Sequence, residues 1–230
     1  MLEIRKMAFT KKEDAKIELP MLKIGQMEIT LIGDTPLIVH AWSVKSKREM
    51  LQKQMKSAKA GREAKNPQQD FEDSLYRFPD GGYGFPSVAF KAAAVTACTS
   101  VSGITKVAAR QSFQVMGEDV DVTGAFEGTM MRQNLVRIVG SEPRMREDLV
   151  RVGMGTADLR YRAEFSDWSA KVVVRFNEGV LSPSQIMNLF NTSGFAVGVG
   201  EWRSERDGQY GSFHVANEVE VKTIKKGRAS

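Results

Sequence analysis

Lys171-Val172-Val173-Val174-Arg175-Phe176-Asn177-Glu178-Gly179-Val180-Leu181-Ser182-Pro183-Ser184-Gln185-Ile186-Met187-Asn188-Leu189-Phe190 decides the fold, because it carries a strand, a break and a helix start in one run. Residues 171–176 are rich in β-branched and aromatic side chains, as strands are. Ser182 followed by Pro183 marks a helix start, serine suiting the cap and proline the first turn. Before this run, residues 159–165 read as another strand, joined to it across residues 166–169. After it comes a glycine-rich segment, residues 198–211, and then a closing strand over residues 212–223.

Nearer the N-terminus, Met27-Glu28-Ile29-Thr30-Leu31-Ile32 alternates at the period of a half-buried strand, and Gly33-Asp34-Thr35-Pro36 interrupts it before Leu37-Ile38-Val39. Val44, Leu51, Met55 and Ala58 then fall on a narrow helical stripe surrounded by lysine and arginine. Residues 68–77 suggest a second short helix. Asp80-Gly81-Gly82 supplies a hairpin turn within residues 78–86, and Ser87 is placed to cap a helix over residues 88–97. Residues 103–156 mix strand-like stretches with glycines and charges and read as an excursion from the core. With the excursions removed, the order is strand, helix, strand, strand, helix, strand, which is the split βαβ or ferredoxin-like order. The expectation is therefore an α+β, RRM-like single domain over residues 21–223 with a helical basic insertion at 43–85 and a β-rich insertion at 103–157. An N-terminal arm, residues 1–20, precedes it, and a basic tail, residues 224–230, follows it.

The chain has 230 residues, 42% hydrophobic and 27% charged, which suffices for a proper core. It has no apolar run of the roughly 18 to 20 residues that cross a bilayer and no apolar leader, so the expectation is a cytoplasmic protein with no membrane partner. The lone cysteine, Cys98, lies in an apolar stretch and reads as core. Net charge is +5, and the sequence pI is near 9.3. Between Val44 and Asn66, eight basic residues (Lys45, Lys47, Arg48, Lys53, Lys56, Lys59, Arg62 and Lys65) face only Glu49 and Glu63, an excess that alone accounts for the net charge. Clustered cations of one sign are the footprint of a polyanion partner.

The minimum apparatus of common catalysts is missing from the sequence. The two histidines, His40 and His214, stand alone, without a partner at metal-ligand spacing. There is no phosphate-binding glycine motif with its lysine, no nucleophile elbow and no dinucleotide fingerprint. The adjacent acidic pairs Glu118-Asp119 and Glu147-Asp148 read as solvated turns. The expectation is a protein that is not an enzyme, with no catalytic residue, no metal and no cofactor.

Binding has better candidates. Residues 198–211 combine Gly198, Gly200 and Gly211, which let the main chain approach a phosphate, with Arg203 and Arg206, which can hydrogen-bond it, and Trp202 and Tyr210, whose faces suit bases. The alternative is that the glycines make the turn, Trp202 covers the core edge, and the arginines pair with Glu201, Glu205 and Asp207. Arg144, Arg146, Arg151, Arg160 and Arg162 form a second basic group, the last two on one strand face by period two.

These features together resemble the RAMP superfamily, the RNA-binding subunits of CRISPR effector complexes. The resemblance rests on the strand ending Leu31-Ile32-Gly33, the ferredoxin-like order, and the late Gly198-Val199-Gly200 followed by basic residues and Tyr210-Gly211-Ser212-Phe213. It implies that Gly198, Gly200, Arg203, Arg206 and Gly211 sit against a nucleic-acid backbone, that the insertion at 103–157 is thumb-like, and that copies polymerise along the strand. The chain lacks the histidine dyad of guide-processing members, so binding is implied and cleavage is not. A viral or mobile-element relative that coats single strands fits equally.

The leading expectation is a non-catalytic protein that binds single-stranded RNA or DNA and self-associates into a filament-like oligomer. A protein-interaction module, an inhibitor or assembly factor whose basic helix engages an acidic partner, is the alternative. A nuclease whose acidic residues converge only in the fold is a third reading.

Overall fold

A computed structural model describes residues 21–55, 64–123, 130–152 and 155–221. Among them the strands are β1 (Ile24–Gly33), β2 (Leu37–Val39), β3 (Tyr76–Arg77), β4 (Tyr83–Pro86), β5 (Phe113–Met116), β6 (Glu118–Thr123), β7 (Met130–Gly140), β8 (Arg144–Val152), β9 (Thr156–Phe165), β10 (Trp168–Asn177) and β11 (Phe213–Val215). The helices are α1 (Val44–Gln54), α2 (Pro67–Asp73), α3 (Ser87–Ala97), α4 (Lys106–Ser112) and α5 (Pro183–Ala196). The N-terminal arm and the basic tail expected from sequence lie outside the described residues, as do Lys56, Lys59 and Arg62.

The core is ferredoxin-like. Strands β11, β1, β10 and β5 lie side by side in that order, each antiparallel to its neighbour. Helix α3 falls between β1 and β5 in sequence, and α5 between β10 and β11, so the chain traces two interleaved βαβ units. Both helices pack on one face of the sheet. Ile29 and Leu31 of β1, and Trp168, Ala170, Val172, Val174 and Phe176 of β10, join Phe90, Phe113, Ile186, Phe190 and Phe213 in one buried cluster. Edge-to-face ring contacts run through it, including Phe90–Phe213 and Phe113–Phe190. The opposite face carries Gln26, Glu28, Lys171 and Arg175, with Lys171 paired to Glu28 at 2.7 Å.

The second core strand is a correction. Expected at residues 159–165, it is instead β5, a four-residue strand whose Phe113 and Val115 are buried. Residues 159–165 belong to β9, which pairs with β2 and β8 in a separate three-stranded sheet. Strands β9 and β10 are consecutive but not paired, since the chain changes sheets across Ser166 and Asp167. The second insertion accordingly starts after β5, not at residue 103. In it, β6 and β7 extend the main sheet and β8 begins the smaller one. Strand β10 is shared at its two ends, pairing with β7 over 168–170 and with β5 over 173–176.

Helix α5 starts as expected, with Ser182 and Gln185 forming a reciprocal capping box and Pro183 in the first turn. Helix α3 differs, because Pro86 holds the cap position and Ser87 is buried as the first helical residue. The closing strand is three residues long, and the chain turns helical again at 218–221. Gly194 lets α5 meet β11, since a Cβ there would fall on the carbonyl of Phe213. Alanine usually favours a helix over glycine. Here Gly194→Ala should instead destabilise by about 1 to 3 kcal/mol through overpacking, read as a lowered denaturant midpoint.

His214 ties the chain end to the β1–β2 turn. Its Nδ1 lies 2.6 Å from Asp34 and its Nε2 lies 3.3 Å from Glu220. Burial works to lower the imidazole pKa, but the two carboxylates outweigh it and raise the pKa above the ordinary value. The stabilisation is therefore full below the unfolded pKa of about 6.5 and is lost as pH rises through the folded one. Denaturation midpoints followed across that window should fall with rising pH, and His214→Gln should flatten this component.

Candidate nucleic-acid interface

The glycine-rich loop begins where α5 stops. Gly198 takes a left-handed conformation, φ 72°, and donates to Ser193 O at 2.9 Å, closing the helix as glycine commonly does. Glu201 N then donates to Ile38 O at 3.0 Å, and a Cβ on Gly200 would press on that same carbonyl. Val199 N donates to Gly211 O and Gly211 N to Pro36 O, both at 2.9 Å. A Cβ on Gly211 would fall on the Val199 carbonyl. The glycines thus have a packing reason, in that they let the loop lie directly against β2 and the turn before it.

Inside the loop a 3-10 turn at Ser204–Arg206 is followed by Asp207 in the left-handed region, φ 58°. Trp202 is also left-handed, φ 54°, a conformation a bulky side chain rarely adopts. Gly208 is what permits it, because it packs directly on the Trp202 carbonyl, which also accepts from Tyr210 N at 3.1 Å. The indole is held outward, 41% exposed.

Arg203 is engaged at home, donating to Glu205 Oε2 at 2.7 Å and to the Gly200 carbonyl at 3.2 Å. Arg206 is exposed and borders a cleft of about 350 Å³ between the loop, α3 and the end of β2. The floor of that cleft is Ile38, Ala89, Ala92 and Ala93, and its rim includes His40 and Glu201, whose Nδ1 and Oε1 atoms lie 3.7 Å apart.

The second basic group is divided between the interior and the surface. Arg146 of β8 faces Arg162 of β9 in register, a like-charge pair that would repel if left alone. Asp148 and Glu164 intervene. Asp148 accepts from Arg146 Nε at 2.8 Å and from Arg162 Nη1 at 3.1 Å, while Glu164 accepts from Arg146 at 2.8 Å and from Arg144. Burial works to lower the guanidinium pKa of Arg146, but the hydrogen bonds it donates to Glu164, Asp148 and Tyr210 outweigh this and raise the pKa. Burial likewise works to raise the Glu164 pKa, and the two arginines hold it below the ordinary carboxylate range.

Two expected contacts are corrected by this network. Arg162 is 2% exposed and cannot line a groove with Arg160, because Asp148 draws it into the fold. Tyr210 does not offer a free ring, because the Arg146 guanidinium stacks 4.7 Å from its centroid and also donates to its hydroxyl at 3.0 Å. Arg144 remains outward, with its side chain 68% exposed, and Arg160 is partly exposed beside Asp158.

Lys45, Lys47, Arg48 and Lys53 ride on α1, capped by Ser43, which accepts from Ser46 N at 3.0 Å. None of its residues is buried, so the expected apolar stripe does not seat α1 on the core. What the sequence reading missed is Trp42, immediately before the cap and 61% exposed. The sequence carries it only as a tryptophan abutting a cationic helix, which does not tell whether the ring is exposed.

Among the described residues no group of three or more His, Cys, Asp or Glu is placed to hold a metal ion, and no helix is long and apolar enough to cross a membrane. Cys98 is buried, and burial raises its thiol pKa. No family model and no curated protein matches the sequence. Among solved structures the chain is similar to the crystal structure of Cmr6 from Pyrococcus furiosus, at 11% identity and a TM-score of 0.40 over 85% of this chain and 100% of that one.

Proposed function

We propose that this protein binds single-stranded nucleic acid, RNA or DNA, without cutting it, and assembles side by side along the strand. The observation that carries the reading is α1, a helix with four cations on eleven residues and no buried side chain, whose cap lies three residues from His40 at the glycine loop. A helix that contributes nothing to the core and concentrates one charge fits a polyanion partner. The absence of catalysis is supported by the state of the histidines. His40 faces Glu201, and His214 is held between the carboxylates of Asp34 and Glu220, which accounts for both rings without a catalytic role. The assembly and the RAMP-like role rest on the resemblance drawn from residues 198–213.

A labelled thirty-mer should bind at low salt and dissociate steeply as salt rises, because neutralised phosphates release counterions. With magnesium or manganese present, the strand should stay intact. No binding at low salt, with protein purified free of nucleic acid, would overturn the reading and favour an acidic protein partner.

A further inference from the structure

We infer that Trp42 and Trp202 form a base-stacking site, so that the partner is recognised by unpaired bases as well as by its phosphates. This rests on the proposed strand binding and deepens it. The chain has three tryptophans, and Trp168 is accounted for as core, 3% exposed with its indole N–H donating to Thr35 O at 2.9 Å. The other two are exposed, and both flank one contact.

Trp42 follows His40 by two residues, Trp202 follows Glu201 directly, and His40 Nδ1 lies 3.7 Å from Glu201 Oε1. His40 borders both the cleft beside the glycine loop and a second hollow of about 410 Å³ lined by Trp42, Arg160 and Tyr161. His40 thus joins the two hollows, Trp42 lines the second, and α1 with its cations starts one residue beyond Ser43, while Trp202 follows the Glu201 that faces His40.

Exposure of a single tryptophan would say little, but Trp202 is exposed at a cost. A left-handed backbone is unfavourable for a residue with a Cβ, and glycine would avoid it. Tryptophan at such a position, displayed by a loop that packs Gly208 under its own carbonyl, contributes little to the core. An aromatic face beside clustered cations is what a sequence-tolerant grip on single strands needs, the charges holding phosphates and the rings holding bases. Among the carboxylates beside the two hollows, Glu205 pairs with Arg203 and Asp158 with Lys65, while Glu201, Asp70 and Asp73 also border them.

Tryptophan fluorescence reads this directly, using the full chain with an intact thirty-mer and an abasic thirty-mer that has the same phosphates and no bases. The intact strand should quench wild-type emission. In Trp42→Phe/Trp202→Phe, where only Trp168 emits, it should not. Trp42→Leu and Trp202→Gly should each weaken binding to the intact strand by roughly tenfold and leave abasic binding unchanged, following the worth of one stacked base. Trp202→Gly should keep or raise the thermal midpoint, since glycine relaxes the backbone, so lost binding would not reflect lost folding.

Binding without quenching, equal loss on both strands, or a lowered midpoint in Trp202→Gly would overturn the stacking site while leaving strand binding in place. Quenching by an acidic polypeptide instead of the strand would assign the face to a protein and overturn it too. Failure of both strands to bind would strike the underlying proposal instead.

Discussion

Asp148→Asn is expected to destabilise the protein by about 3 to 5 kcal/mol, the range for a buried ion pair that loses one partner. Arg162 is the reason. Arg162 is 2% exposed, its Nε has no hydrogen-bond partner among the described residues, and Asp148 lies 3.1 Å from its Nη1, with Glu201 3.9 Å from its Nη2. Asparagine keeps the shape of the side chain and removes the charge, leaving a buried cation with one distant counterion. Arg146 suffers less, because Glu164 still holds it at 2.8 Å. The effect should therefore reverse in part when the orphaned charge is also removed, and Arg162→Met/Asp148→Asn should be more stable than Asp148→Asn alone. Urea denaturation of the four proteins in the cycle measures this. A double variant less stable than the single one would mean that the network acts through packing and not through charge.

Neutralising α1 should have the largest effect on binding. Lys45, Lys47, Arg48 and Lys53 replaced together by glutamine remove four positive charges from a helix with no buried residue. Stability should change little, since surface substitutions away from packed or capped positions stay within about 0.5 kcal/mol. Affinity for a single strand should fall sharply at low salt. If all four cations contact phosphates, the slope of log affinity against log salt should become shallower by about 3, at roughly 0.7 per phosphate. Fluorescence anisotropy across a salt series gives both quantities. An unchanged slope with unchanged affinity would remove α1 from the interface. Because Ser43 caps the helix and Trp42 precedes it, the quadruple variant leaves the stacking residues untouched, and the two contributions can be separated.

Much of the core was legible because its signals are local. The cap at Ser182 with Pro183 after it, the alternation of β1 and the β-branched run of β10 each depend on neighbours in sequence, and each is found where the pattern placed it. The second core strand was not legible, for a physical reason. Residues 112–116 read as strand-like, but β5, four residues long and set among glycines and charges, gives no sign of belonging to the core, whereas β9 has ten residues and looks like a core strand. Sequence alone could not tell that β9 pairs with β2 and β8 rather than with its successor.

The candidate site divides in the same way. Net charge on α1 was visible as composition. That Arg162 is buried was not, since arginine at alternating strand positions looks the same whether its carboxylate lies across the ladder or is absent. The glycines stood out for their conformational freedom, and the structure adds that three of them also admit a neighbouring carbonyl. The exposure of Trp42 could not be read from sequence, because nothing there distinguishes a tryptophan that enters the core from one left at its edge.

The passage from β9 to β10 across two residues has a mechanical consequence. Strand β9 lies in the smaller sheet and β10 runs through the middle of the larger one, so a tug at the far end of the β8–β9 hairpin would act on a lever about 33 Å long, ten residues at about 3.3 Å each. With so little slack at Ser166 and Asp167, torque applied out there would arrive at the fulcrum beside Trp168, inside the domain.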